Sequence, residues 1–308
     1  MVVIEEEYNL NTTLVVLAAG LGSRFGGGSA KQVARLGKHG EILADFSAYD
    51  AIQAGFTKIV YIIKDDMKDA FIENVSSKIN GAEVGLAFQR IDDLPAGFTL
   101  PAGREKPWGT AHALWAARNE VNEPFMMIHA DDFYGDSIYK SIHSFLTDTA
   151  SEDYSYAMGG YRLENTLSDH GGVNRGVCTA KDGYLVEVLE TMQIERRPDG
   201  IAYPSGDGFK YLPGSSIVSM GAFAFKPTVF DELEKDFVEF LKKDRETPKA
   251  EFIATAFVSK LIAEQKATVK VIETEDQWLG VTYQEDQERA QKAIWELMAQ
   301  GKYPEKLF

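Results

Sequence analysis

Cysteine is almost absent. Cys178 is the one thiol among 308 residues, so no internal disulfide can form, and the chain suits a reducing, cytoplasmic setting. Cys178 itself reads as a buried small residue. Positive charge is scarce too, with 32 Lys and Arg against 47 Asp and Glu and a net charge of -15. Nucleic acids and anionic membrane surfaces need broad basic faces, so neither is expected as a partner, and any phosphate chemistry must be local. No apolar run approaches the length of a membrane span, and MVVIEEEYNL places acids where a signal peptide carries a basic flank. Internal repeats, low-complexity tracts and a convincing inter-domain linker are also missing, which leaves a single domain over 1–308 as the expectation. What the chain has is 44% hydrophobic residues, enough to fill a full core.

The most telling absence is local. From Tyr8 through Gly40 there is not one Asp or Glu, and within that gap lies LVVLAAGLGSRFGGGSAK, Leu14 to Lys31. Leu14 to Leu17 form a short continuous apolar run, as a buried parallel strand requires. Gly20, Gly22 and Gly26 to Gly28 then let backbone N–H groups approach an anion, and the acid gap keeps the turn locally positive. Arg24 offers a planar fork and Lys31 a mobile point charge at a spacing that spans a triphosphate. The glycines alone do not separate a dinucleotide from a nucleoside triphosphate. A dinucleotide fold wants an acid at the tip of its second strand about 20 residues further on, whereas here that strand ends near Lys64-Asp65. Walker A chemistry wants Gly-Lys-Ser/Thr closing the loop, and none is present. The remaining alternative is an ordinary glycine-rich turn with solvated bases.

Elsewhere, apolar runs at Ile59 to Ile63, Val84 to Phe88 and FMMIHA alternate with helical patterns near Ala44 to Ala54, Met67 to Ile79 and TAHALWAARNEV. That is the rhythm of a parallel α/β sheet. After a helix near Ser137 to Thr147, strands at Tyr154 to Tyr161, Val173 to Ala180 and Tyr184 to Leu189 read as more antiparallel. Arg196 to Ser216, with its prolines and glycines, reads as a polar loop long enough to cover a substrate. Thr282 and Glu285 stand in capping-box spacing before a helix whose Ala290, Ile294, Leu297 and Met298 share one face, with Gly301 beyond it. The expected fold is α/β. A mixed, mostly parallel central sheet is flanked by helices: about 1–150 is a nucleotide-binding half, about 151–280 an additional substrate-binding β region, and about 281–308 a docked C-terminal helix.

Two polar positions sit where α/β sheets gather ligands. Gln89 follows the strand VGLAF and faces the helix opening Gly109-Thr110-Ala111, so an amide that both donates and accepts meets a helix N-terminus. Asp131 and Asp132 follow FMMIHA, and a hard carboxylate there suits Mg²⁺, which takes one or two protein carboxylates and completes its shell with substrate phosphates. The plainer alternatives are a surface glutamine and an Asp turn or cap.

These segments resemble the sugar-phosphate nucleotidyltransferases, whose signature is a strand followed by LAAGxGxR with a lysine shortly after. The resemblance implies a Rossmann-like (GT-A-like) fold. It also implies transfer of a nucleoside monophosphate from a nucleoside triphosphate to a sugar-1-phosphate, with release of pyrophosphate and Mg²⁺ as cofactor. Ala19, Gly20, Gly22 and Ser23 would hold the nucleotide phosphates, with Gln89, Gly109 and Thr110 at the base. Arg24, Lys31 and Asp131 would carry the chemistry, with Asp131 on the metal. HGGVNRG and VEVLET are similar to the sugar-binding half, implying Gly172 near the sugar ring, Glu190 on its hydroxyls and Arg175 as the first-ranked cation for its phosphate. The chain departs from the pattern at Ser23, usually threonine, and at Glu190-Thr191-Met192-Gln193, where many members place a lysine. It departs again at Gly280, where a second metal-binding aspartate often sits, so that Asp276 and Asp286 become the candidates. Two other functions stay open: transfer to a non-sugar phosphate such as an alcohol phosphate, and a catalytically silent nucleotide-binding regulator. The sequence leaves homo-oligomerisation open.

Overall fold

The computed structural model describes residues 10–21, 35–148, 152–280 and 286–308. Its first apolar run forms β1 (Thr13–Leu17), followed by a short turn of 3-10 helix over Ala19–Leu21, then α1 (Leu43–Ala54) and β2 (Lys58–Ile63). α2 (Lys68–Asn74), β3 (Glu83–Phe88), α3 (Thr110–Trp115), β4 (Phe125–His129) and the short β5 (Asp132–Phe133) come next. β1 pairs with β2 and β4, and β2 with β3, every pairing parallel, giving the spatial order β4-β1-β2-β3. The residues just past these strands remain tied to their neighbours. Ala18 N–H donates to Ile62 O at 2.9 Å, Ala130 N–H to Leu17 O at 3.1 Å, and Gln89 N–H to Ile63 O at 2.9 Å. The carboxyl ends of all four strands therefore open on one edge, where a doubly wound sheet binds its ligands.

The second half extends the same sheet. α4 (Asp136–Thr147) leads to β6 (Ser155–Arg162), β7 (Val173–Lys181), β8 (Tyr184–Arg197), β9 (Gly200–Ser205), β10 (Gly208–Leu212) and β11 (Ile217–Phe225). α5 (Val229–Asp244), α6 (Ala254–Ala263), β12 (Thr268–Thr274), β13 (Leu279–Gly280) and α7 (Asp286–Ala299) complete it. β11 runs antiparallel to β4 and joins the halves. Beyond it, only the pairing of β12 with β6 is parallel among the described strands, so the mostly parallel character expected of the whole sheet holds only for its first half. Arg196 to Ser216 is likewise not a covering loop. It is mostly β8, β9 and β10 joined by tight turns, because Ile201, Tyr203, Phe209 and Tyr211 alternate along paired strands that the intervening Pro and Gly residues obscure.

Period-two alternation builds the core. Leu14 and Val16 of β1, with Ile59 and Tyr61 of β2, pack against Ala44, Ala48 and Ala51 of α1 and Ile138 and Ile142 of α4. Val15, Leu17, Val60 and Ile62 face the other way, onto α3, α5 and α6 through Leu114, Phe237 and Phe257. α7 buries Ala290, Ile294 and Met298 against Phe46 of α1, Phe133 of β5 and Leu279 of β13, so the C-terminal helix docks as its apolar stripe requires. Gly301 follows it with φ +77°, and the capping-box pair Thr282 and Glu285 lies outside the described residues.

Candidate functional site

At the carboxyl edge of β4-β1-β2-β3 lies a cavity of about 480 Å³. β1 and its following turn contribute Leu17, Ala19 and Gly20; Lys64 follows β2, Gln89 follows β3, and His129 and Asp131 come from the end of β4. Its far wall is Gly109, Thr110 and Ala113 of α3 together with Glu251 and Ile253. Five of the expected site residues, Ala19, Gly20, Gln89, Gly109 and Thr110, thus meet Asp131 in one cavity. Gly22, Ser23, Arg24 and Lys31 lie outside the described residues.

The helix N-terminus expected at Gly109-Thr110-Ala111 is present as the start of α3, but it is not open. Phe252 lies across it: Ala111 N–H donates to Phe252 O at 3.0 Å, and Ala254 N–H donates to Thr110 Oγ1 at 3.0 Å. Gly109 has φ +110° and ψ -174°, a region essentially reserved for glycine. A Cβ there would also stand 2.9 Å from Phe252 N. Behind this turn, Gln89 Nε2 lies 3.1 Å from Gly109 O and 3.3 Å from His112 Nδ1, while His112 Nε2 lies 3.1 Å from Asp93 O. Burial pushes His112 from 6.5 down to about 4, against the smaller opposing effect of its bond to Asp93, so its ring is neutral at pH 7. Arg118 grips the Asp93 carboxylate with two bonds of 2.9 Å and covers the Trp115 ring 3.5 Å from its centroid.

At the opposite end, Asp131 is exposed at the cavity and His129 is partly buried beside it. Burial lowers the His129 pKa, and Asp131 acts in the opposite sense. The His129 ring lies over Gly221, whose φ of +78° sits in the register shift of β11 between Ser219 and Phe223. Tyr134 Oη accepts His129 N–H at 3.1 Å and donates to Met220 O at 3.0 Å, tying that irregular stretch to β4. Asp132 turns from the cavity into β5. Its Oδ2 is 3.2 Å from Tyr134 Oη, and burial first, the Asp131 charge second, raises its pKa well above the usual carboxylate range.

Gly280 pairs with Asp132 across the two-stranded β13-β5 ladder, immediately beside the Asp131 turn. A Cβ at 280 would meet Trp278 Cζ2 at 2.5 Å, so the indole already fills the space that any side chain would need. Asp276 and Asp286, considered as replacements, are held elsewhere. Asp276 Oδ2 accepts Ser137 N–H at 3.0 Å and Ser137 Oγ–H at 2.6 Å, which makes it a cap for α4. Asp286 is buried and accepts Ser168 Oγ–H at 2.9 Å. Among the described residues no group of three or more metal-ligating side chains forms. Asp131 therefore remains the one carboxylate of the three that lines the cavity.

The expected acceptor half is less open than its motif suggests. Arg175 is 7% exposed and stacks on Trp278 at 4.7 Å. Its Nε donates to Thr166 Oγ1 at 3.2 Å, Nη1 to Asn174 O at 2.8 Å, and Nη2 to Thr166 O. The expectation of a guanidinium presented to a phosphate is thus replaced by one tied into the wall, facing the charges of Asp132, Glu190 and Asp286. Gly172 is where the chain passes the β8 backbone, since its Cβ would lie 3.0 Å from Gln193 Cα. Glu190 is exposed on β8 opposite Gly176.

A family model described as nucleotidyl transferase matches residues 13–294. The chain belongs to the nucleotidyl transferase family. Its fold resembles that of the inositol-1-phosphate CTP transferase from T. maritima, with a TM-score of 0.60, 14% identity, and coverage of 94% of this chain and 96% of that one. It also resembles a putative glucose-1-phosphate thymidylyltransferase from Bacillus anthracis, solved in complex with a sucrose, with a TM-score of 0.57, 17% identity, and 92% and 94% coverage. A UDP-glucose pyrophosphorylase complexed with UDP-glucose gives a TM-score of 0.57 at 15% identity, covering 93% of this chain and 99% of that one. No curated protein matches significantly. These likenesses establish an α/β nucleotidyltransferase fold with a mixed sheet and helices. No described helix is long and apolar enough to cross a membrane.

Three groups of this nucleotidyl transferase are not among the residues expected from the sequence: Lys64 and His129 at the cavity, and His112 behind it. Lys64 was within reach, because it directly follows an apolar strand, just as Gln89 and Asp131 do. His112 sits in TAHALW, where nothing in the spacing marks it.

Proposed function

We propose that this nucleotidyl transferase moves a nucleoside monophosphate from a nucleoside triphosphate to a sugar-1-phosphate. The observation that carries the reading is the meeting of Gln89, Gly109, Gly20 and Asp131 in one cavity at the carboxyl ends of four parallel strands. Ala19, Gly109 and Ala113 leave a small-residue surface beside Leu17 for a flat base, with the Gln89 amide at its edge. The glycine loop after β1, with Arg24 and Lys31, would take the phosphates.

A phosphate monoester has a second pKa of about 6 and is mostly dianionic at neutral pH, so the acceptor oxygen needs no general base. That oxygen attacks the α-phosphorus, the bond from the α-phosphorus to the bridging oxygen breaks, and pyrophosphate leaves with the electron pair. The chain's own residues hold donor and acceptor in line and balance charge, Arg24 and Lys31 at the triphosphate and Lys64 at the cavity wall. Asp131 is a hard oxygen donor at a cavity edge and fits Mg²⁺ as a single protein carboxylate, with substrate oxygens completing the shell. When bound, the ion would neutralise charge on the reacting phosphates.

A second acceptor class, an alcohol or cyclitol phosphate, is favoured by one feature: Arg175 is tied to Thr166 and Asn174 and stacked on Trp278, so the acceptor end departs from a standard sugar-phosphate clamp. The test is a pyrophosphate-release screen of nucleoside triphosphates against sugar-1-phosphates and alcohol phosphates with Mg²⁺. Release that depends on a sugar-1-phosphate supports the first reading, and release only with alcohol phosphates supports the second. Nucleotide binding without release from any acceptor points to a silent regulator.

A further inference from the structure

Behind the cavity wall runs a chain of hydrogen bonds whose polarity chemistry alone decides. Asp93 O is a carbonyl and can only accept, so His112 Nε2, 3.1 Å away, carries the proton. The ring is neutral because it is buried, which leaves Nδ1 as a bare acceptor. Gln89 Nε2 therefore faces two acceptors, Gly109 O at 3.1 Å and His112 Nδ1 at 3.3 Å, and can satisfy both with its two hydrogens. Rotating the amide by half a turn would set its oxygen against both of them. With both hydrogens engaged, Oε1 is the only part of the Gln89 amide left to act at the cavity. The far end of the chain is anchored, since Arg118 holds the Asp93 carboxylate by two bonds and Trp108 Nε1 donates to Ile91 O at 2.7 Å in the same loop.

We propose that His112 is a positioning residue for specificity: through its Nε2–H tautomer it locks Gln89 as a pure acceptor, so the site reads a nucleobase only through an N–H that the base donates. A free glutamine would rotate to suit either a donor or an acceptor on the base. Locked, it rejects a base edge that turns a carbonyl oxygen or a bare ring nitrogen toward it, because two acceptors would then face each other unpaired. The inference rests on the reading that this cavity takes the base. It places discrimination on a buried histidine that never touches the ligand.

Two measurements on the full chain separate the inference from the reading beneath it. Long-range ¹⁵N–¹H correlation spectra of the uniformly labelled wild-type protein at neutral pH report the tautomer directly. The expected result is a protonated Nε2 and a bare Nδ1 for His112; a protonated Nδ1 overturns the lock even if no variant folds. Binding of ATP, CTP, GTP and UTP, each with Mg²⁺, is then compared for wild type, His112→Phe and His112→Asn. Asparagine keeps an acceptor near the Nδ1 position, whereas phenylalanine keeps only bulk. The ratio of best to worst dissociation constant is expected to shrink about tenfold in His112→Phe, the size of one hydrogen bond's discrimination, and to recover in His112→Asn. An unchanged ratio in a folded His112→Phe overturns the proposal and leaves the site reading intact. Failure of the wild type to bind any of the four nucleotides overturns both.

Discussion

Replacing Gly109 by alanine tests whether the cavity wall has the strained geometry described above. The residue sits at φ +110° and ψ -174°, where a Cβ costs about 1–3 kcal/mol. The new methyl would also lie 2.9 Å from Phe252 N and meet Phe252 O, both backbone atoms held by the Phe252 N–H to Trp108 O bond of 2.5 Å. Overpacking against such neighbours costs roughly another 1–3 kcal/mol. The sum, about 2–6 kcal/mol, corresponds to a fall in Tm of about 3–9 °C for a protein of 308 residues, read by scanning calorimetry. Gly103→Ala is the control. It shares a positive φ, +77°, but a Cβ there meets none of the described residues within 4 Å, so only the backbone cost of about 1–2 kcal/mol is expected. Equal Tm losses in the two variants would refute the close approach of Phe252, and no loss in Gly109→Ala would refute the wall geometry altogether.

Gly20 makes the converse case. Among the described residues a Cβ there has nothing within 4 Å, so Gly20→Ala should keep the wild-type Tm while weakening nucleoside triphosphate binding, as a glycine kept for its ligand would. Unaltered binding by titration would remove Gly20 from the site. Asp50 supplies a pH signature distant from the cavity. Buried in α1 and accepting Tyr303 Oη–H at 2.8 Å, its carboxyl is raised from 3.8 to about 8, with burial the leading cause. The native state then binds more protons than the unfolded state between those values. Stability is therefore greatest below 3.8 as far as this group is concerned, and it falls as pH rises through the window at up to about 1.4 kcal/mol per unit. Asp50→Asn should flatten that slope in chemical denaturation, and parallel curves for variant and wild type would contradict it.

What the sequence disclosed and what it hid divide by range of interaction. β1, β2 and β4 announce themselves because a strand buried on both faces is a continuous apolar run. Gln89 and Asp131 followed from them, since the residue after a parallel strand falls at the ligand edge whatever the rest of the chain does. The β9–β10 hairpin was hidden because Pro204 and the flanking glycines look like loop, while the Ile201 and Tyr203 alternation that overrides them is short. The fates of Asp276, Arg175 and His112 depend on partners far away in sequence or on bonds to backbone carbonyls. Asp276 caps Ser137 across 139 positions, and His112 meets a carbonyl 19 residues earlier. No local spacing encodes such pairs. Gly280 is intermediate: the missing carboxylate was visible, but the Trp278 ring that occupies its place was not.

Nucleotidyl transfer is proposed to take place at the cavity that Asp131 and Gln89 both line. Its most direct test follows the α-phosphorus label of the preferred nucleoside triphosphate into the acceptor phosphate, for wild type and Asp131→Asn at matched Mg²⁺. For the wild type, label in the acceptor product with stoichiometric pyrophosphate is expected, and for Asp131→Asn at least about 100-fold slower transfer at unchanged Tm. Transfer at wild-type rate by Asp131→Asn, or no labelled product with any acceptor, would contradict it.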